Sequence, residues 1–158
     1  MKELSSKISI NAPLDRVWKI VSSIDDDPQY WDGISRVRNI SVDRNVVVRD
    51  VFLGGENICR QTVIFFPNDG IHVKWTKGPI RGTRDIILTG LGSTTTVEIQ
   101  MRYRLAGIVS LFSKNAAKYL QEEARTALQL IKEKAEGTLQ KPVFEERRQW
   151  ADLIRQRN

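Results

Sequence analysis

Between Val37 and Leu105 the chain offers one strand after another and nothing that reads as a helix. Val37–Val42, Val46–Leu53, Ile58–Phe66, Ile71–Lys77, Arg84–Leu88 and Thr94–Leu105 are rich in Val, Ile, Thr and aromatic residues, the side chains that suit a pleated surface. The breaks between them are short and carry turn chemistry: Asp43-Arg44-Asn45, Gly54-Gly55-Glu56-Asn57, Pro67-Asn68-Asp69-Gly70, Gly78-Pro79 and Gly90-Leu91-Gly92-Ser93. Connections this short leave no room for helical crossovers and imply an antiparallel meander. Such a sheet must bury one face, and another part of the chain has to cover it.

The cover lies after the meander. Ala116, Leu120, Ala124, Ala127, Ile131 and Ala135 recur at three- and four-residue spacing, with Leu128 and Leu130 widening the stripe. This predicts a helix from Ser113 or Lys114 to a stop at Gly137. At 1.5 Å per residue it is ~33 Å long, enough to span most of a sheet. Ahead of the meander, Leu4, Ser6, Ile8 and Ile10 alternate as a first strand. Leu14, Val17, Trp18, Val21 and Ile24 follow at helical spacing, with Pro13 in the first turn and Asp25-Asp26-Asp27-Pro28 as the stop. A second short helix is expected from Pro28 to Ile34. The fold class is therefore α+β: a seven-stranded curved antiparallel sheet wrapped around a long C-terminal helix, with two short helices after the first strand. Residues 1–137 make the domain. Residues 138–142 read as a linker and 143–157 as a charged amphipathic helix carrying Phe144, Trp150, Leu153 and Ile154. That tail can pack on its own domain, on a second subunit as a homodimer, or on a partner protein.

Composition narrows the setting. No apolar run approaches the ~20 residues of a membrane-spanning helix, and the N-terminus has no apolar core of a secretory signal. Cys59 is the only cysteine, so an internal disulfide is excluded and a cytoplasmic location is expected. The net charge is +6 with pI near 9.7, but the basic residues are spread, as in Arg36, Arg38, Arg44 and Arg49 or Arg147, Arg148, Arg155 and Arg157. They read as solvated strand and helix faces, and nucleic acid is not the expected partner.

Several segments resemble a known superfamily. Ile8-Ser9-Ile10-Asn11-Ala12-Pro13-Leu14-Asp15-Arg16-Val17-Trp18 is similar to the opening of the START-like, or birch-pollen-allergen-like, helix-grip (SRPBCC) proteins. Asp27-Pro28-Gln29-Tyr30-Trp31 resembles the Pro-x-x-Trp element that follows there, and Gly92-Ser93-Thr94-Thr95-Thr96-Val97 the Gly-x-Thr-x-Val start of a late strand. The resemblance covers residues 4–137. It is closest to the polyketide cyclase/dehydrase and lipid-transport group, which includes coenzyme Q-binding proteins. It implies a helix-grip fold and a cavity for a hydrophobic small molecule.

The chemistry-bearing residues are few. His72 is the only histidine; it alternates with Ile71, Val73 and Trp75 and points to solvent, so no Ser-His-Asp triad and no catalytic residue is expected. One Cys and one His give no zinc site. Asp25-Asp26-Asp27 lacks the spacing of a calcium loop and reads as a capping or loop element. Gly54-Gly55 lacks the Lys-Ser/Thr of a phosphate loop. No cofactor and no metal are expected.

What remains is a lining. A twisted sheet closed by one helix leaves a wedge between them, and such a space is a ligand pocket by default. Trp31, Trp75, Tyr103 and Tyr119 fall on or beside the inner surfaces. Of Arg84 and Asp85, alternation turns one inward, and the strand's parity is open. These six residues are the candidate ligand-binding set. Three functions fit: a carrier or sensor of a lipid, isoprenoid, quinone or polyketide-like molecule; a cyclase/dehydratase-like lyase using the same cavity; and a protein or nucleic-acid interaction module.

Overall fold

The computed structural model describes residues 1–54, 57–107 and 113–139. The hairpin residues Gly55 and Glu56, the end of the linker and the 143–157 segment, with its expected partner role, lie outside the described residues. The elements run β1 (Lys2–Ile10), α1 (Leu14–Ser22), a 3-10 turn (Ile24–Gln29), β2 (Ile34–Asp43), β3 (Val46–Leu53), β4 (Asn57–Phe66), β5 (Gly70–Lys77), β6 (Ile80–Leu91), β7 (Thr94–Leu105) and α2 (Ser113–Glu136). The seven strands form one antiparallel sheet in the order β1-β7-β6-β5-β4-β3-β2. The meander expected from the turns is borne out, and β1 closes it by pairing with β7, from Lys2 opposite Tyr103 to Ile10 opposite Thr95.

The α2 stripe is also borne out. Ala116, Leu120, Ala124, Ala127, Leu128, Ile131 and Ala135 are all buried. Its alanines let the helix lie close to β1, and α2 also meets α1 and β7. Along that contact the helix serves the sheet's edge. Gln121 donates to the Ser5 carbonyl at 3.0 Å and Lys132 to the Ser9 carbonyl at 2.8 Å. Edge carbonyls that would otherwise face outward are thereby covered. Farther across the sheet, the chain between α1 and β2 lies over β3 and β6, through Ile24 and Asp27 to Arg49 and through Trp31 to Arg84.

That connection differs from expectation. Instead of a helix over Pro28–Ile34, the chain makes a 3-10 turn over Ile24–Gln29 and enters β2 at Ile34. Pro28 cannot donate to a helical ladder. The amides of Tyr30 and Trp31 both return to the Asp27 carbonyl, at 3.0 and 2.8 Å, and Ile34 to that of Trp31 at 2.9 Å. The turn delivers Tyr30, Trp31 and Ile34 to the core, each 5% exposed or less.

Candidate inner-face site

Strand alternation settles what faces inward. In β6, Ile80, Arg84, Ile86 and Leu88 are buried, so Arg84 takes the inner parity. Asp85 falls on the outer face, where its carboxylate meets His72 Nδ1 at 2.6 Å, beside the opposed pairs of β5 and β6. Asp85 therefore leaves the set of inner-face candidates.

The inner face is not uniformly apolar. Register places Arg49 opposite Gln61, Gln61 opposite Trp75, Trp75 opposite Gly82 and Gly82 opposite Tyr103. One polar-aromatic row thus crosses β3 to β7. Arg49, Gln61 and Tyr103 are each 1% exposed or less. Arg49, expected on a solvated face with its basic neighbours, is instead the largest fully buried side chain. Its guanidinium donates to Gln61 Oε1 at 2.9 Å, to the Ile24 carbonyl at 2.8 Å and to the Asp27 carboxylate at 2.5 Å. A buried charge needs such a complete set of partners. Here they come from the 3-10 turn as well as the sheet, so Arg49 folds that turn down onto the sheet. Asp27 is thus the one of the three acids with an interior role, while Asp25 accepts from Asn39 at 3.1 Å. Among the described residues no group of three metal-ligating side chains exists.

Arg84 lies next to this row, opposite Val73. Its guanidinium stacks 4.0 Å from the Trp31 ring centre and 5.5 Å from that of Trp75. Stacking of this kind is attractive through the ring quadrupoles. Burial pulls its pKa down to about 10, against the opposing fields of Asp27 and Glu123. Among the described residues it has no carboxylate within ion-pair distance. Glu123, partly buried on α2, accepts the Gly33 amide at 2.5 Å and the Tyr119 hydroxyl at 3.2 Å. Burial pushes its carboxyl up to about 7, although the Gly33 amide, Arg84 and Tyr119 all pull it down.

Of the residues singled out from sequence, Trp31, Trp75 and Arg84 are thus brought into contact. Tyr103 is buried two strands from Trp75 in the same row, and burial raises its hydroxyl pKa. Tyr119 is half-buried and donates to Glu123, whose carboxyl in turn feels the Arg84 charge. Asp27, Arg49, Gln61 and Glu123 join the site from outside that set. Three of them carry a readable signal: Arg49 and Gln61 occupy inward parity between Val47 and Val51 and between Cys59 and Val63, and Glu123 follows Leu120 by three residues on the buried stripe. Among the described residues, a surface cleft of about 430 Å³ is lined by Arg16, Lys19, Tyr30 and Lys134, away from Arg84.

Residues 1–136 match the family model described as polyketide cyclase/dehydrase and lipid transport. No curated protein matches the chain. Among solved structures, a Thermus thermophilus protein superposes with a TM-score of 0.75 at 15% identity, covering 88% of this chain and all of that one. The di-domain ARO/CYC StfQ of the steffimycin biosynthetic pathway superposes with a TM-score of 0.71 at 13% identity, covering 85% of this chain and 51% of that one. A START superfamily protein from Mycobacterium smegmatis gives 0.61 at 14% identity, covering 87% and 99%. At these identities the likeness is one of fold.

Proposed function

Because the chain belongs to the polyketide cyclase/dehydrase and lipid transport family, we propose that it binds and carries a hydrophobic small molecule between the inner face of the sheet and α2. The ligand classes are a lipid, an isoprenoid or quinone such as coenzyme Q, or a polyketide-like molecule. One observation carries this reading. The helix α2 makes its closest packing against β1; toward β5 and β6, the interior instead holds Trp31 and Trp75 stacked about Arg84. Broad aromatic faces with a few buried polar groups are the usual lining of a small-molecule site. The proposal includes residues 1–137 as the binding domain, 138–158 as a separate extension, and a reducing cytoplasmic setting suited to the free, buried Cys59. Native mass spectrometry of gently purified protein, with uptake of fluorescent lipid and quinone probes after delipidation, tests it. A bound apolar molecule or saturable uptake is expected; neither occurring would end the reading.

A second reading, a cyclase/dehydratase-like enzyme, is favoured by Glu123. A carboxyl with a pKa of about 7 beside a phenol is tuned for proton transfer near neutral pH. In that case Glu123→Gln slows loss of water from a bound polyketide while leaving its affinity within about threefold. Unchanged turnover would reject it.

A further inference from the structure

Three buried side chains on the inner face hold hydrogen-bond donors with no acceptor among the described residues: Gln61 Nε2, Trp75 Nε1 and Arg84 Nε. Their residues are 0%, 5% and 3% exposed. They belong to one patch. Gln61 and Trp75 are direct cross-strand neighbours on β4 and β5. Arg84 is diagonal to Trp75 across β5 and β6, its guanidinium 5.5 Å from the Trp75 ring centre.

The chemistry of the patch is one-sided. Indole and guanidinium N–H groups donate only. Gln61 is amphoteric in general, but its oxygen is taken by Arg49 Nε, which leaves only its amide protons. The flat faces of Trp31 and Trp75 satisfy the guanidinium's π surface and not its in-plane N–H edge. Charge runs the same way. Arg49 is neutralised by Asp27. Glu123, the α2 carboxyl whose field acts on Arg84, already accepts from Gly33 and Tyr119. Arg84 is left as the cation of the patch.

Resting on the binding reading above, we propose that Gln61, Trp75 and Arg84 together receive an oxyanion of the carboxylate type at one end of an otherwise apolar ligand. The apolar remainder lies against the Trp rings. The ligand class is thereby narrowed from hydrophobic molecules in general to amphipathic acids, and neutral hydrocarbons and alcohols of the same shape bind more weakly.

A matched pair of fluorescent probes tests this: anilinonaphthalene sulfonate, which carries an oxyanion, and N-phenyl-1-naphthylamine, the same rings without it. Both are titrated into the delipidated full chain at 0.15 M and 0.5 M salt. The anion is expected to bind about tenfold or more tightly than the neutral probe, the range that charge-assisted hydrogen bonds supply. Arg84→Met should abolish the preference, weakening the anionic probe about tenfold or more relative to the neutral one. Gln61→Leu should reduce the preference several-fold, and Arg84→Lys should keep part of it through its charge. The Gln61 and Lys variants keep the test alive where the Met variant fails to fold. Equal affinities, or a preference that survives undiminished in Arg84→Met and Gln61→Leu or vanishes at high salt, would mean that the donors meet only water and would overturn the inference. Binding of neither probe would remove the parent reading with it.

Discussion

Arg49 Nη2 lies 2.5 Å from the Asp27 carboxylate, and neither side chain has more than 11% of its surface exposed. Twenty-two positions apart in the chain, they join the centre of the sheet to the turn that delivers Trp31. Removing one partner of a buried pair strands the other charge and costs about 3–5 kcal/mol. Arg49→Met should lose about that much stability in urea denaturation, and Asp27→Asn a similar amount. The double variant should lose less than the sum of the two. Additive losses would show that the two residues act independently.

Glu123 gives stability a pH dependence. Its carboxyl titrates near 7 in the folded chain against 4.5 as the ordinary value, so the folded state holds more protons between those limits. Stability contributed here is complete below about pH 4.5 and is lost as pH rises through 7. The groups facing it, Gly33, Tyr119, Arg84 and Asp32, do not reverse that sign. Relative to Glu123→Gln, the wild-type chain should weaken by at most about 3 kcal/mol between pH 4.5 and 8. Parallel stability curves for the two proteins would contradict it.

Gly82 holds a place that no side chain fits. With φ at +137°, an added Cβ would stand 2.0 Å from the Arg102 carbonyl oxygen and 2.8 Å from Tyr103 Cα. Both atoms are backbone, so relief requires β6 and β7 to part. Gly82→Ala should cost at least about 2–3 kcal/mol, and amide exchange should accelerate along the β6–β7 pairing. Near-wild-type protection there would refute this.

Cys59 should be inert in the native protein. It is fully buried, and burial pushes its thiol up to about 12, so the reactive thiolate is scarce at pH 8. A disulfide reagent such as DTNB should label it only as fast as the protein unfolds. Rapid labelling without denaturant would count against the packing of β4.

Much of this is legible in the sequence because the sheet's alternation and the helix's periodicity are local. The strands from Val37 to Leu105 and the stripe from Ala116 to Ala135 can be read from neighbouring residues alone, and so can the inward set Ile71, Val73 and Trp75. The inner-face charges are less legible. Residue type groups Arg49 with Arg36, Arg38 and Arg44, although its parity matches Val47 and Val51. What makes burial tolerable is Asp27, and nothing nearby in the chain announces that partner. The 3-10 turn is hidden for the same reason: its shape is set by Arg49 reaching across from β3. Glu123 is masked by the many solvated charges of α2, among which only its spacing from Leu120 distinguishes it.

The pairing of β1 with β7 has a consequence for how the molecule is made. On the ribosome, Lys2–Ile10 finds its neighbour only once Thr94–Leu105 has been synthesised. In the interval the meander from β2 onward can assemble hairpin by hairpin, through contacts close in sequence. The strand made earliest of the seven is therefore the last to join the sheet, and α2, which covers the Ser5 and Ser9 carbonyls, is synthesised later still. Long-range closure of this kind slows folding. Its rate should respond to substitutions in β1 and β7 more than to those in β2.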